Sequence, residues 1–222
     1  MSQYAKLEWR DGAVPVSTRF DDPYFSLDNG LAETRHVFLA GNGLPVRFCD
    51  GFHIAELGFG TGLNFLATLQ AFRAAASPGI LHFTSFEAFP MAMPDLIRAL
   101  AHYPDLPVDA LIDPDKPKVP SRVSGPDFRL HVVEGDARAT LPEWQGQADA
   151  WFLDGFSPAK NPELWSPELM AEVARHTAPD GTAATYTAAG FVRRGLADAG
   201  FTVTRSAGFG RKRHMTTAAL TA

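Results

Sequence analysis

Four acidic residues, Glu56, Glu87, Asp136 and Asp154, close four consecutive strand-like patterns. Ligands of open α/β sheets bind outside the carboxyl ends of the strands, so these acids fall where such sheets do chemistry. The first belongs to ELGFGTG, Glu56 to Gly62, which sets Gly58, Gly60 and Gly62 at alternate positions between a strand pattern and a helix pattern. Glycine there lets the chain turn tightly and brings backbone to a ligand with no Cβ between them. The spacing is not the G-x-G-x-x-G of dinucleotide dehydrogenases. A carboxylate two residues ahead of Gly58 would repel a pyrophosphate and suits a ligand with an amino group. S-adenosylmethionine has an α-amino group and no phosphate. Glu56, Gly58, Phe59, Gly60 and Gly62 therefore read as a cofactor loop, although the glycines alone would also fit a structural turn.

An acid after the second strand, Glu87, can accept both hydroxyls of a ribose. One after the third, Asp136, can accept the exocyclic amine of adenine. Either could instead be a solvated loop acid or a helix cap, Asp136 especially, since a short helix pattern follows at Ala137 to Leu141. Asp154 stands in DAWFLDGFSPAKNPELWS at the mouth of a strand, followed by Phe156, Pro158 and Pro162.

These residues need a scaffold of alternating strands and helices. Strand patterns run over His53 to Phe59, Leu81 to Ala88, Phe128 to Gly135, Ala150 to Gly155 and Thr182 to Thr187. Helix patterns start near Leu63 and Met93, and a third follows Ser166 as N-cap and Pro167 as first helical residue, with Pro179 to Gly181 ending it. A short helix carrying Val192 and Leu196 stops at Gly200. Strand patterns at Phe201 to Ser206 and Arg213 to Leu220 predict a terminal hairpin. The expected fold is a mainly parallel seven-stranded sheet with an antiparallel last strand and helices on both faces. Residues 1–50 read as an irregular N-terminal segment, and the proline-rich stretch 104–126 as a surface excursion.

With 222 residues, 45% hydrophobic and 20% charged, the chain is expected to be a single globular domain. It has no membrane-length apolar run, and its polar N-terminus lacks a signal-peptide core, so a cytoplasmic place is expected. Cys49 is the single cysteine, and the seven histidines show no ligand spacing, so no metal is expected. The net charge of −5 excludes a globally basic coat, but Arg193, Arg194, Arg205, Arg211, Lys212, Arg213 and His214 crowd the end of the chain. Such a patch can meet phosphate on an acidic protein.

Together these residues resemble the class I S-adenosylmethionine-dependent methyltransferases. More narrowly, FDDPYFSLDNGLAETRHVFLAGN, ELGFGTGLNFLATLQAF, SFEAFP, DAWFLDGFSPAKNPELW and AGFVRRGLADAGFTV with GFGRKRHM are similar to the methyltransferase domain of the bacterial MnmC tRNA-modification enzymes. The resemblance covers nearly the whole chain. It implies methylation of the amine of 5-aminomethyl-2-thiouridine at the tRNA wobble position, giving 5-methylaminomethyl-2-thiouridine, with separate enzymes supplying that amine. Bifunctional members of the family continue into an FAD-dependent oxidoreductase domain that this sequence lacks. It therefore reads as a stand-alone methyltransferase or an excised piece, and FAD is not expected.

In amine-directed methyltransferases an acid or amide at the fourth strand, followed by an aromatic and prolines, lines the place of methyl transfer, and DGFSP looks like a variant of that motif. A carboxylate there would hold a neutral amine in line and favour the ammonium that forms. Asp154 and Phe156 are the catalytic candidates, Asp154 also as a cofactor contact, with capping of the next turn as the plain alternative for Asp154. Lys160, Arg193, Arg194, Arg211, Lys212 and Arg213 are candidate tRNA contacts, with solvated charge as their alternative. Asn161 carries no distinct role. Tyr24, Phe25, Ser26 and Asn29 could fold over the cofactor as a lid or simply pack on the sheet. Rival readings are a methyltransferase for a small-molecule amine, an NAD-dependent dehydrogenase, and a silent RNA-binding module.

Overall fold

The computed structural model describes residues 4–12, 14–26 and 29–221. The expected α/β core is present. Its strands are β4 (His53–Leu57), β5 (Leu81–Glu87), β6 (Arg122–Ser124), β7 (Phe128–Glu134), β8 (Ala148–Leu153), β9 (Thr177–Thr185), β10 (Thr202–Ala207) and β11 (His214–Ala219). They form an eight-stranded sheet in the order β10-β11-β9-β8-β4-β5-β7-β6. The five central strands are parallel, and β11 runs antiparallel to both β9 and β10.

Side chains alternate across this sheet, as a pleated strand requires. Ile54, Ala150 and Phe152 join one core with α2 (Leu63–Ala74) and α3 (Met93–Leu100). Ala55, Leu57, Trp151 and Leu153 join the other with α4 (Ala137–Thr140), α5 (Pro167–Arg175) and α6 (Gly190–Asp198). Ser166 caps α5 by accepting the Leu169 N–H at 3.3 Å.

Four expectations of the fold are corrected. The sheet has eight strands, not seven, because Arg122–Ser124 pairs antiparallel with β7 at the edge. That strand lies in the stretch expected as a surface excursion, where Leu106, Leu111 and Val119 are buried in the core. They are too widely spaced to show a period. Pro179 to Gly181 does not end α5, which stops at Arg175; it bulges out of β9, where Ala148 pairs with Thr177 and Ala150 already pairs with Thr182.

The N-terminal segment is not irregular. β1 (Leu7–Arg10), β2 (Val14–Ser17) and β3 (Asp22–Pro23) form a small antiparallel sheet. A continuous helical stretch follows: α1 (Gly30–Thr34), a π-turn at Arg35–Leu39 and a 3₁₀ turn at Ala40–Asn42. Strands of four residues or fewer among turn formers carry too little alternation to be read from sequence.

Candidate active site

The carboxyl ends of β4, β5, β7 and β8 open into a cavity of about 1040 Å³. Gly58, Phe59, Gly60 and Thr61 line one side of it. Gly58 has φ +93°, and a Cβ there would stand 2.5 Å from the Asp154 carbonyl oxygen. The loops after β4 and β8 therefore touch backbone to backbone at a place only glycine allows. Gly62 does not line the cavity; it makes room for the Leu111 side chain behind the loop, where a Cβ would come within 2.5 Å.

Each acid at a strand end sits differently. Glu87 lines the cavity, its carboxylate accepting N–H bonds from Gly60 at 2.9 Å and Phe89 at 2.7 Å. The Phe59 and Ala88 N–H groups also act on this carboxylate. Burial raises its pKa, while those backbone bonds pull it down. Glu56 departs from expectation. It is wholly buried behind the cavity wall, accepting from Ser85 Oγ at 2.7 Å and Asn64 Nδ2 at 2.8 Å. Burial raises its pKa well above the ordinary range. Asp136 lines the cavity but caps α4 through the Arg138 N–H at 2.9 Å and pairs with the Arg138 guanidinium. That pairing lowers its pKa, as a neighbouring cation should.

Asp154 is half-buried on the cavity wall, its Oδ2 accepting from Asn64 Nδ2 at 2.6 Å. Burial lifts its carboxyl from an ordinary 3.8 to about 7; the Asn64 bond opposes this, Glu33 adds to it, and Lys212 opposes it. The following loop is anchored on both sides. Tyr186 donates its hydroxyl to the Gly155 carbonyl at 2.8 Å, and Trp165 Nε1 donates to the Phe156 carbonyl at 2.9 Å.

Over this floor lies the N-terminal segment. Tyr24, Phe25 and Ser26 line the cavity, while Asn29 instead caps α1 through the Ala32 N–H. Phe156 stacks on Phe20 with centroids 4.8 Å apart and meets Tyr24 edge-on at 5.0 Å. Lys160 is exposed but paired: it meets Asp21 at 3.0 Å, and Asp22 accepts the Ser157 N–H at 2.8 Å. The turn between β10 and β11 closes another side, with Arg211 and Lys212 on the cavity. Lys212 pairs with Glu33 at 2.6 Å and lies 4.2 Å over the Tyr186 ring. Asn161 also lines the cavity, whereas Arg193, Arg194 and Arg213 do not. Arg194 and Arg213 are exposed, and Arg193 is half-buried, bonding the Ala188 carbonyl.

Sequence reasoning missed Asn64, Glu33, Phe20, Phe89 and Tyr186. Asn64 left a trace: it is a polar residue in the first turn of LNFLATL, an otherwise apolar helix start. Phe89 and Tyr186 follow the ends of β5 and β9, where the sequence shows strand patterns but no residue type singles them out, and Phe20 and Glu33 lie in the N-terminal segment, whose path no local pattern reveals.

The cavity suits S-adenosylmethionine on its own chemistry. One wall is bare of side chains at Gly58 and Gly60, Glu87 presents a hydrogen-bond acceptor, and Phe86 and Ala88 supply apolar contact. Among the described residues, no helix is long and apolar enough to cross a membrane. Residues 114–221 match a family model described as S-adenosyl-L-methionine-dependent methyltransferase. The chain is 48% identical over 225 residues to the tRNA 5-methylaminomethyl-2-thiouridine biosynthesis bifunctional protein MnmC of Pseudomonas paraeruginosa, covering 96% of this chain and 34% of that protein. It is 48% identical over 216 residues to the MnmC of Caulobacter vibrioides, covering 93% and 36%. The chain thus spans about a third of the length of the curated relatives it matches. A crystal structure of MNMC2 from Aquifex aeolicus superposes with a TM-score of 0.74 at 27% identity, over 99% of this chain and 72% of that one. A spermidine synthase from Thermotoga maritima, at 10% identity and a TM-score of 0.55 over 98% and 72%, shares the fold. The chain belongs to the S-adenosyl-L-methionine-dependent methyltransferases, among which it groups with the methyltransferase portion of the MnmC proteins.

Proposed function

We propose that this methyltransferase acts on the amine of 5-aminomethyl-2-thiouridine at the wobble position of tRNA, giving 5-methylaminomethyl-2-thiouridine. The observation that carries the reading is Asp154: a carboxylate facing the cavity beside the glycine loop, in a chain 48% identical to proteins named for this nucleoside. When bound, S-adenosylmethionine supplies an electrophilic methyl group on a sulfonium that is already a good leaving group.

The protein's task is then positional and electrostatic. Gly58, Phe59 and Gly60 would hold the cofactor by backbone, Glu87 its ribose hydroxyls, and Asp136 its adenine edge. Glu56 and Gly62 would support the loop from behind. Asp154 accepts an N–H bond from the neutral amine, aims the lone pair and favours the ammonium that forms. Its carboxylate then takes the surplus proton. A pKa near 7 fits a group that must accept a proton and release it at neutral pH. Phe156, backed by Phe20 and Tyr24, offers a face for the uracil ring.

Arg193, Arg194, Arg211 and Arg213 would meet tRNA phosphates. Lys160 and Lys212 are spent on acids of the roof and would serve tRNA only by exchanging those partners. That pairing is the one observation favouring the second reading, a small-molecule amine. A cytoplasmic place, and separate enzymes that make the aminomethyl group, follow from the tRNA reading. Its test is nucleoside mass spectrometry of undermodified tRNA incubated with protein and S-adenosylmethionine. The expected result is one added methyl on 5-aminomethyl-2-thiouridine. No added methyl there, with transfer to a free small amine instead, would establish the rival.

A further inference from the structure

We infer that Asn64 is the positioning residue of the methyl-transfer step: its side-chain amide holds the Asp154 carboxylate in place against the buried Glu56. The inference rests on the catalytic reading of Asp154 given above. Asn64 Nδ2 lies 2.6 Å from Asp154 Oδ2 and 2.8 Å from Glu56 Oε1, so its two N–H groups are divided between two carboxylates. Turning the amide over would set its oxygen against Asp154 Oδ2 and lose the bond made there. Thr34 fixes the same orientation from the other side, its hydroxyl donating to Asn64 Oδ1 at 2.8 Å. Ser85 holds Glu56 in turn, donating to Oε2 at 2.7 Å.

Glu56 and Ser85 are shut away behind the cavity, while Asn64 and Thr34 reach its lining with little surface of their own. Thr34, Asn64, Glu56 and Ser85 are 4%, 6%, 0% and 0% exposed. They come from α1, α2, β4 and β5, so three layers of the fold meet behind one carboxylate. Such an arrangement has a direction. Ser85 and Asn64 anchor Glu56, Glu56 and Thr34 anchor Asn64, and Asn64 alone delivers a hydrogen bond to the group that faces the cavity. An amide has no proton to pass on readily, so the chain orients Asp154 and does not drain it. The proton taken by Asp154 must leave through the cavity.

A donor on Oδ2 does two things to Asp154. It leaves Oδ1 to the amine, and it stabilises the ionised form that accepts the amine N–H. Removing Asn64 should therefore reduce turnover and move the acid limb of the rate profile to higher pH.

The experiment measures single-turnover methyl transfer against pH for wild type, Asn64→Ala, Thr34→Val, Asp154→Asn and the Asn64→Ala/Asp154→Asn double variant. Beside it, the Asp154 carboxyl is titrated by carbon NMR in the cofactor-free protein. Asn64→Ala should slow transfer by about tenfold and raise the Asp154 titration by about one pH unit, the weight of one hydrogen bond to a charged group. In the Asp154→Asn background the same substitution should cost little, because its target is already changed. Thr34→Val, which keeps the amide and loses only its orienting hydroxyl, should shift both readouts in the same direction by less. If Asn64→Ala does not fold, Thr34→Val alone decides the question. Unchanged titration of Asp154 in both variants, or rate losses that multiply in the double variant, would overturn the inference. Because the titration needs no substrate, it stands even if tRNA proves not to be the acceptor. A wild type inert toward tRNA would therefore count against the substrate alone.

Discussion

The floor and the roof of the cavity are built by different physics. The floor is the carboxyl edge of a parallel sheet, where Gly58, Glu87 and Asp154 are tied by backbone and by buried hydrogen bonds. The roof is the N-terminal segment and the β10–β11 turn. They are held down by Lys160 on Asp21, Lys212 on Glu33, the Ser157 N–H on Asp22 and aromatic packing around Phe156. Of these, the exposed Lys160–Asp21 pair is worth at most about 1 kcal/mol. The contrast teaches a division of labour: the floor is fixed by buried bonds, and much of the roof is fixed by contacts nearer the surface.

Replacing floor residues should therefore hurt chemistry or folding, and replacing roof residues should alter substrate handling. The largest effect is expected for Asp154→Ala, which should lose methyl transfer by about 10²-fold or more while keeping most cofactor affinity. Transfer at the wild-type rate would reduce Asp154 to a turn residue. Gly58→Ala comes next. A Cβ 2.5 Å from the Asp154 carbonyl, on a residue with φ +93°, must push the two loops apart. A stability loss of about 2 kcal/mol or more in thermal unfolding is expected, against the smaller cost of a glycine change in open space. A normal melting curve would mean the floor is softer than described.

Glu87→Gln should weaken S-adenosylmethionine binding by about 1.5–3 kcal/mol through loss of a charged acceptor, measured by calorimetry. A floor residue with unchanged affinity would have no part in the cofactor site. At the small end, Lys160→Ala should cost under about 1 kcal/mol of stability, since its ion pair with Asp21 is exposed. Its kcat should stay near wild type while KM for tRNA changes. A large fall in kcat would move the roof into the catalytic machinery.

The pH response sharpens the same contrast. Asp154 is raised in the folded state, from 3.8 to about 7, chiefly by burial. The folded protein thus holds a proton that the unfolded chain gives up, and stability on this account falls as pH rises from about 4 to about 7 and then levels. Asp154→Asn should flatten that part of the stability profile, measured by denaturant unfolding across pH.

The floor was legible in sequence because its information is local. ELGFGTG and the acids after β5, β7 and β8 sit directly on strand ends whose apolar patterns are strong. Even so, Glu56 faced inward because a strand alternates sides, and β4 ends one residue after it. Nothing local told which side held the cavity. The roof was poorly legible. Its strands are too short to show a period, and the partners of Lys160 and Lys212 lie more than 130 residues away along the chain. A basic run reads as solvated or as a nucleic-acid contact unless those acids are known to stand opposite.

The position of β11 has a consequence for how the protein is made. It lies between β9 and β10, so β10 leaves the ribosome before the strand that joins it to the sheet. Between the end of β10 at Ala207 and the end of β11 at Ala219 the ribosome adds about a dozen residues, roughly a second at about 5–20 residues per second. For that interval the edge of β9 and all of β10 are unpaired, the condition in which strands of neighbouring nascent chains can join. The turn between β10 and β11 carries Lys212, the partner of Glu33. The contact of Lys212 with Glu33 over the site therefore forms once β11 has paired with β9 and β10.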